Sequence, residues 1–312
     1  MKMPKNKEKD LLFGKDFQDK YNEDDYEEMD YDENEEEAET HSSKNKKNPD
    51  DINTLYINEL DLNNLKPEHS KDFKNGCKLV IIGAPGTGKS TIIKSIIYAK
   101  KHILAVGQVF SGTEDSNGFF GEFFPESFIY NGLDTSDLTP LENFKKRQKI
   151  ARKYIEPTGG YPWALNVIDD CTYDTTFLKK AIYREYQKNG RHFAMLHILS
   201  LQYCLDIKPE IRVNINGVFI LRESRLDIRK KLYENYGGCI PTFEMFCQIM
   251  DALTTDYTAL YINNMSTSNK IEDTVFYYKA NPNAIPKDWK FGCKEFWQFH
   301  NERYIGNGGE MF

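Results

Sequence analysis

Nine consecutive residues, Gly83-Ala84-Pro85-Gly86-Thr87-Gly88-Lys89-Ser90-Thr91, carry the clearest chemistry in the chain. Gly83, Gly88, Lys89 and Ser90 satisfy the spacing G-x-x-x-x-G-K-[ST] of a phosphate-binding loop. Glycines let the backbone turn tightly, so that successive N–H groups face one anion. A helix starting at the end of the loop adds its positive N-terminal end to the same site. Lys89 can reach the β- and γ-phosphates, and the Ser90 hydroxyl can ligate Mg²⁺. The implied ligands are a nucleoside triphosphate and Mg²⁺.

A second cluster completes a hydrolytic site. Asp169 and Asp170 close the apolar run Trp163-Ala164-Leu165-Asn166-Val167-Ile168. In a parallel sheet, ligands sit beyond the carboxyl ends of the strands. Asp169 is there the candidate for holding Mg²⁺ opposite Ser90, and Asp170 the candidate for orienting or activating the attacking water. Gln202, after the apolar run 193–200, can hydrogen-bond the γ-phosphate or that water. Arg212 can neutralise charge on the transferring group, from this subunit or a neighbouring one. Arg191 and Arg222 compete for that role.

These residues need a scaffold of alternating strands and helices. Apolar, β-branched runs predict strands over 77–82, 102–110, 163–168, 193–200 and 216–221. A further strand can start within 125–130. Helical spacing predicts helices after the phosphate loop and over 138–155, 175–189, 224–235 and about 241–253. The polar and aromatic stretch 111–124 reads as loop. Two short strands, 258–262 and 274–278, precede an aromatic C-terminal segment. The alternation predicts an α/β fold with a mainly parallel central sheet covered on both faces, a three-layer sandwich. The expected organisation is a tail and linker at 1–50, an N-terminal extension at 51–76, an ATPase domain at 77–280 and a C-terminal segment at 281–312. Leu55, Tyr56, Ile57 and Leu60 of the extension can pack on the domain.

Charge is unevenly spread along the 312 residues. Residues 1–50 hold 17 acidic side chains against 9 lysines, whereas the remainder is close to neutral. From Tyr21 to Thr40 there are twelve acidic residues and no basic ones, which predicts disorder. That tail reads either as a solubilising segment or as a partner-docking or DNA-mimicking one. Lys145, Lys146, Arg147, Lys149, Arg152 and Lys153 make the 138–155 helix basic, and Lys179, Lys180, Arg184, Lys188 and Arg191 come after it; these are the candidate phosphate contacts for DNA. The six cysteines form no C-x-x-C pair and read as reduced thiols. No apolar run has the length of a membrane span, and the charged N-terminus does not read as a signal peptide.

The order of these blocks resembles the genome-packaging ATPases of nucleocytoplasmic large DNA viruses, the poxvirus-type packaging ATPases of the FtsK–HerA superfamily. The resemblance covers roughly residues 77–280. It rests on the loop 83–90, Ser111-Gly112-Thr113-Glu114, Val167-Ile168-Asp169-Asp170-Cys171 and Asn189-Gly190-Arg191-His192. Leu201-Gln202-Tyr203, Pro209-Glu210-Ile211-Arg212-Val213-Asn214 and Val218-Phe219-Ile220-Leu221-Arg222-Glu223 continue it. It implies ATP hydrolysis coupled to translocation of double-stranded DNA into a preformed capsid by a homo-oligomeric ring. Capsid or virion proteins would be partners, and the virion and host cytoplasm the location. It also implies that Gln202 is the γ-phosphate sensor and Arg212 the trans-acting finger. One departure matters: many relatives have Glu after the Mg²⁺-binding Asp, and this chain has Asp170. A nucleotide kinase and a nucleotide-gated scaffold with negligible turnover are the competing readings.

Overall fold

Strand Cys77–Ile82 is buried at all six positions, the pattern of a parallel strand covered on both faces. It is central to a nine-stranded sheet in the computed structural model, which describes residues 56–67, 76–160, 162–172 and 175–304. In chain order the strands are β1 (Asn58–Glu59), β2 (Cys77–Ile82), β3 (Val106–Ser111), β4 (Ile129–Asn131), β5 (Ala164–Asp169), β6 (Met195–Leu201), β7 (Gly217–Ile220), β8 (Thr258–Asn263) and β9 (Val275–Lys279). The helices are α1 (Lys89–Ala99), α2 (Glu114–Asn117), α3 (Thr139–Tyr154), α4 (Ala181–Asn189), α5 (Pro209–Arg212), α6 (Leu226–Tyr236), α7 (Phe243–Leu253) and α8 (Lys294–Arg303). The sheet order is β1-β9-β8-β7-β2-β6-β5-β3-β4. Only β8 runs antiparallel to its neighbours, β7 and β9. The architecture is the expected three-layer α/β sandwich.

Alternate residues of the central strands face opposite layers. One set, including Leu79, Ile81, Val167 and Ile198, packs with Ile92, Ile93 and Ile96 of α1 in the main apolar core. The other face carries a polar row across four strands. Lys78 pairs in register with His197, His197 with Asn166, and Asn166 with Gln108. All four are buried, beneath Tyr183 and Gln187 of α4.

Several boundaries differ from expectation for identifiable reasons. The strand expected at 102–110 starts at Val106, because Ile103 and Leu104 close a turn at the end of α1 by donating N–H to the Lys100 carbonyl. The stretch 111–124, expected as loop, contains the single-turn helix α2. The Glu114 carboxylate pins the segment after α2 by accepting N–H bonds from Phe120 (3.0 Å) and Gly121 (2.7 Å). The helix expected over 175–189 divides into a 3₁₀ segment at Thr175–Lys179 and α4.

Both ends of the described chain add elements that no local pattern predicts. Ile57 and Leu60 are buried as expected of the extension and Tyr56 is exposed, but the parallel pairing of Asn58–Glu59 with β9 has no signal in the local pattern. Beyond residue 280, Phe291 is fully buried and stacks on Phe124 at 4.6 Å, while α8 contributes Phe296 to the same core. The described residues from Ile57 onward form one compact unit. The acidic segment and linker expected at 1–50, and Leu55, lie outside the described residues.

Candidate active site

The phosphate loop joins the end of β2 to α1, as its spacing predicts. Its shape depends on Gly83, because a Cβ there would lie 2.6 Å from Thr87 Oγ1 and 2.8 Å from Leu221 Cβ. Gly88 adopts φ +99° as the residue that starts α1, a conformation glycine takes without steric cost. The loop is also braced from within. Lys89 Nζ donates to the carbonyls of Gly83 (2.9 Å) and Ala84 (3.2 Å), and Thr87 Oγ1 donates to Ala84 O (2.7 Å).

The carboxylate pair sits beside it. Asp169 ends β5, two strands from β2, and its Oδ2 accepts a 2.8 Å bond from Ser90 Oγ. The side chain is 2% exposed, and its Oδ1 is buried with no hydrogen-bond partner among the described residues. Burial pushes this carboxyl above the usual carboxylate range, while the neighbouring Ser200 and Ser90 hydroxyls pull the other way. An unsatisfied buried carboxylate oxygen next to a loop hydroxyl fits a divalent cation. No group of three His, Cys, Asp or Glu side chains that could hold a metal occurs among the described residues. A cation here must therefore take its remaining ligands from nucleotide and water, as Mg²⁺ does in nucleotide sites.

Asp170 comes next in the left-handed backbone region, with φ +54°. This turn aims its side chain at the loop. Its Oδ1 lies 3.9 Å from Lys89 Nζ and accepts a 2.8 Å bond from Gln202 Nε2. Gln202 directly succeeds β6, whose end is tied to the loop by Gly83 N–H donating to Leu201 O (3.1 Å). Lys89, Ser90, Asp169, Asp170 and Gln202 thus converge beyond the carboxyl ends of the central strands β2, β5 and β6. A cleft of about 870 Å³ opens over them, with Lys89, Ser90, Thr91 and Asp170 in its wall.

Arg212 is not brought to this cleft. It ends α5, just before β7 begins, and lines a separate cavity of about 800 Å³ with Lys78 and Asn216. Those residues mark the start of β2 and β7, so Arg212 lies a strand length, roughly 16 Å, from the loop. Its guanidinium donates to Ile207 O (3.2 Å) and lies 6.0 Å from the Tyr236 ring centre. Arg222 is nearer, lining a small hollow with Gly86 and Thr87. The side chain of Arg191 lies outside the described residues.

The cleft has a wall that motif spacing does not disclose. Tyr257, just before β8, and Ala280, Asn281 and Pro282, just after β9, line it with Glu59. They are distant in sequence from the loop and reach it only through strand pairing. A tyrosine at a strand start carries no local signal of a ligand.

No protein-family model matches the chain. It is 49% identical over 224 residues to Uncharacterized protein 088R of Invertebrate iridescent virus 3, covering 72% of this chain and 83% of that protein. It is 45% identical over 230 residues to Uncharacterized protein 075L of Invertebrate iridescent virus 6, covering 73% and 86%. Among solved structures, it is similar to the genome packaging NTPase B204 of Sulfolobus turreted icosahedral virus 2 in complex with ATP-gammaS. That likeness has a TM-score of 0.46 at 14% identity, over 65% of this chain and 97% of that one. The chain belongs to the viral family that the two iridescent-virus proteins represent.

Proposed function

We propose that the protein hydrolyses ATP with Mg²⁺ and uses the energy to move double-stranded viral DNA into a preformed capsid, as one subunit of a homo-oligomeric ring. The observation that carries the hydrolytic part is the convergence on the phosphate loop: Ser90 Oγ bonds Asp169, and the next carboxylate faces Lys89 and Gln202. Ser90 and Asp169 would hold Mg²⁺, which when bound neutralises charge on the β- and γ-phosphate oxygens. The loop N–H groups and Lys89 bind and orient the triphosphate. Asp170 orients the attacking water and takes its proton. Gln202 holds Asp170 in place and senses the γ-phosphate. Asp170 is one methylene shorter than Glu, and its left-handed backbone brings the carboxylate to the loop despite that.

The position of Arg212 supports a role in trans. It lies at the opposite ends of the strands from its own loop, in a cavity with Lys78 and Asn216, a place from which it would serve a neighbour's site. The DNA part is supported by the motif order and by relatives encoded in large DNA viruses. A motor grips phosphates without reading sequence, so lysines and arginines such as those of α3 suffice for contact. Capsid or virion proteins are the further partners, in the virion and the host cytoplasm. No helix of the described residues is long and apolar enough to cross a membrane. The test is the rate of phosphate release with and without duplex DNA, measured together with molecular mass in solution. Stimulation by DNA in an oligomer is expected. A DNA-independent rate, or ATP binding with no phosphate release, contradicts the motor.

A further inference from the structure

The residues around the loop account for the phosphate end of a nucleotide and leave its base without a partner. Direction comes from the sheet order. Asp169, Asp170 and Gln202 lie at the ends of β5 and β6, on one side of β2. Hydrolysis places the γ-phosphate toward them. The other end of the nucleotide therefore runs to the opposite side, over the end of β7, the start of β8 and the end of β9.

Tyr257 stands there. It is 64% exposed, whereas Tyr261, four residues on in β8, is 4% exposed and packed against Phe219. Its ring reaches the loop, since a Cβ on Gly88 would lie 3.4 Å from Tyr257 Cδ1. It lines both the main cleft and the smaller hollow beside Gly86 and Thr87. Ala280 and Pro282 line the same cleft and supply apolar surface.

The backbone beneath the ring is unusual. Asp256 and Tyr257 both occupy the left-handed region, with φ +50° and +60°. A bulky side chain there is a genuine outlier, and such strain clusters at ligand clamps. The turn is nevertheless fixed. Thr258 N–H donates to Thr255 O at 3.0 Å, and Asp256 pairs with Lys279, the register partner of Thr258. The ring is thus carried by the β8–β9 ladder, ahead of any ligand.

The other aromatic side chain on the cleft does not compete. Phe119 lies beyond β3, on the carboxylate side. It packs edge-on to Phe120 at 5.2 Å and Phe123 at 5.9 Å, with Lys94 5.5 Å from its ring centre.

We propose that Tyr257 is the platform on which the base of the bound nucleoside triphosphate stacks. The proposal rests on the reading of Gly83–Ser90 as a triphosphate site. It assigns recognition to the face of the base, which every nucleobase offers.

The test compares binding of ATPγS with binding of inorganic tripolyphosphate, which has no base, by calorimetry in Mg²⁺ buffer. Tyr257→Ala should weaken ATPγS binding about 5- to 150-fold, the range for loss of one base–aromatic stack, and leave tripolyphosphate unchanged. Tyr257→Phe should retain most of the ATPγS affinity. Unchanged ATPγS affinity in Tyr257→Ala overturns the proposal, as does an equal loss for both ligands, which would mean that the ring only shapes the loop. A wild-type protein that binds neither ligand overturns the triphosphate reading itself, a result distinguishable from failure at Tyr257 alone.

Discussion

Lowering the pH from 7 to 5 should remove about 2 kcal/mol of folding stability through one side chain, His197. This imidazole is buried in the polar row across the sheet, and its surroundings define its protonation. Gln108 Nε2 donates to Asn166 Oδ1 at 2.7 Å, so the Asn166 amide nitrogen, 2.8 Å from His197 Nδ1, must donate to it. Nε2 then carries the proton, facing Tyr183 Oη at 3.5 Å. A second proton would set donor against donor at Asn166. The groups facing the ring are Lys78 on β2, Asn166 on β5, and Tyr183 and Tyr186 from α4. Burial, with Lys78 adding to it, pushes the His197 pKa from 6.5 down to about 3. The folded protein therefore keeps His197 neutral while the unfolded chain takes up a proton below about 6.5. The stability conferred by the neutral ring is complete above that pH and declines as pH falls toward 3. At pH 5 the unfolded group is 1.5 units below its pKa, which at 1.36 kcal/mol per unit is about 2 kcal/mol. Urea unfolding at pH 7 and pH 5, tracked by tryptophan fluorescence, measures it. His197→Asn keeps an acceptor near Nδ1 but does not titrate. The wild-type loss between the two pH values should exceed that of His197→Asn by about 2 kcal/mol. Equal losses would refute the assignment of a neutral buried imidazole.

Packing sets two further outcomes. Gly83→Ala places a methyl 2.6 Å from Thr87 Oγ1 and 2.8 Å from Leu221 Cβ. It should destabilise by about 1–3 kcal/mol in thermal unfolding and abolish ATPγS binding; unaltered binding would show that the loop relaxes. Phe291→Ala removes a fully buried ring stacked on Phe124, and should cost about 3–5 kcal/mol in urea unfolding. A cost well under 1 kcal/mol would mean that the segment beyond residue 280 is peripheral to the fold.

What was legible in the sequence was local. The loop reads as a spacing, and the central strands read as apolar runs because a parallel sheet buries both faces of its strands. Asp169 and Asp170 were legible as the polar end of such a run, and their position beside Ser90 is set by sheet topology. Asn58–Glu59 could not be read as a strand, because two polar residues become one only by pairing with β9. Helix α8 was hidden for a related reason. Its mixed aromatic and charged sequence has little periodicity, and its helix is fixed by Phe291 and Phe296 docking at the start of β3, where Cys293 N–H bonds Ala105 O at 2.8 Å. The polar row was invisible because Lys78, Asn166 and His197 are interruptions in separate apolar runs. Arg212 was legible as a residue of the motif block, but its distance from its own loop depends on the crossover that carries the chain back to the start of β7.

The central claim is that Lys89 and Asp170 act on one triphosphate. Steady-state release of phosphate from ATP by wild type, Lys89→Ala and Asp170→Asn, measured side by side with Mg²⁺ and duplex DNA, tests it most directly. Turnover is expected from the wild type and none detectable from Lys89→Ala. Asp170→Asn should bind ATPγS as wild type does and hydrolyse ATP about 100-fold or more slowly, the usual contribution of a general base. Undiminished turnover in either variant would contradict that claim.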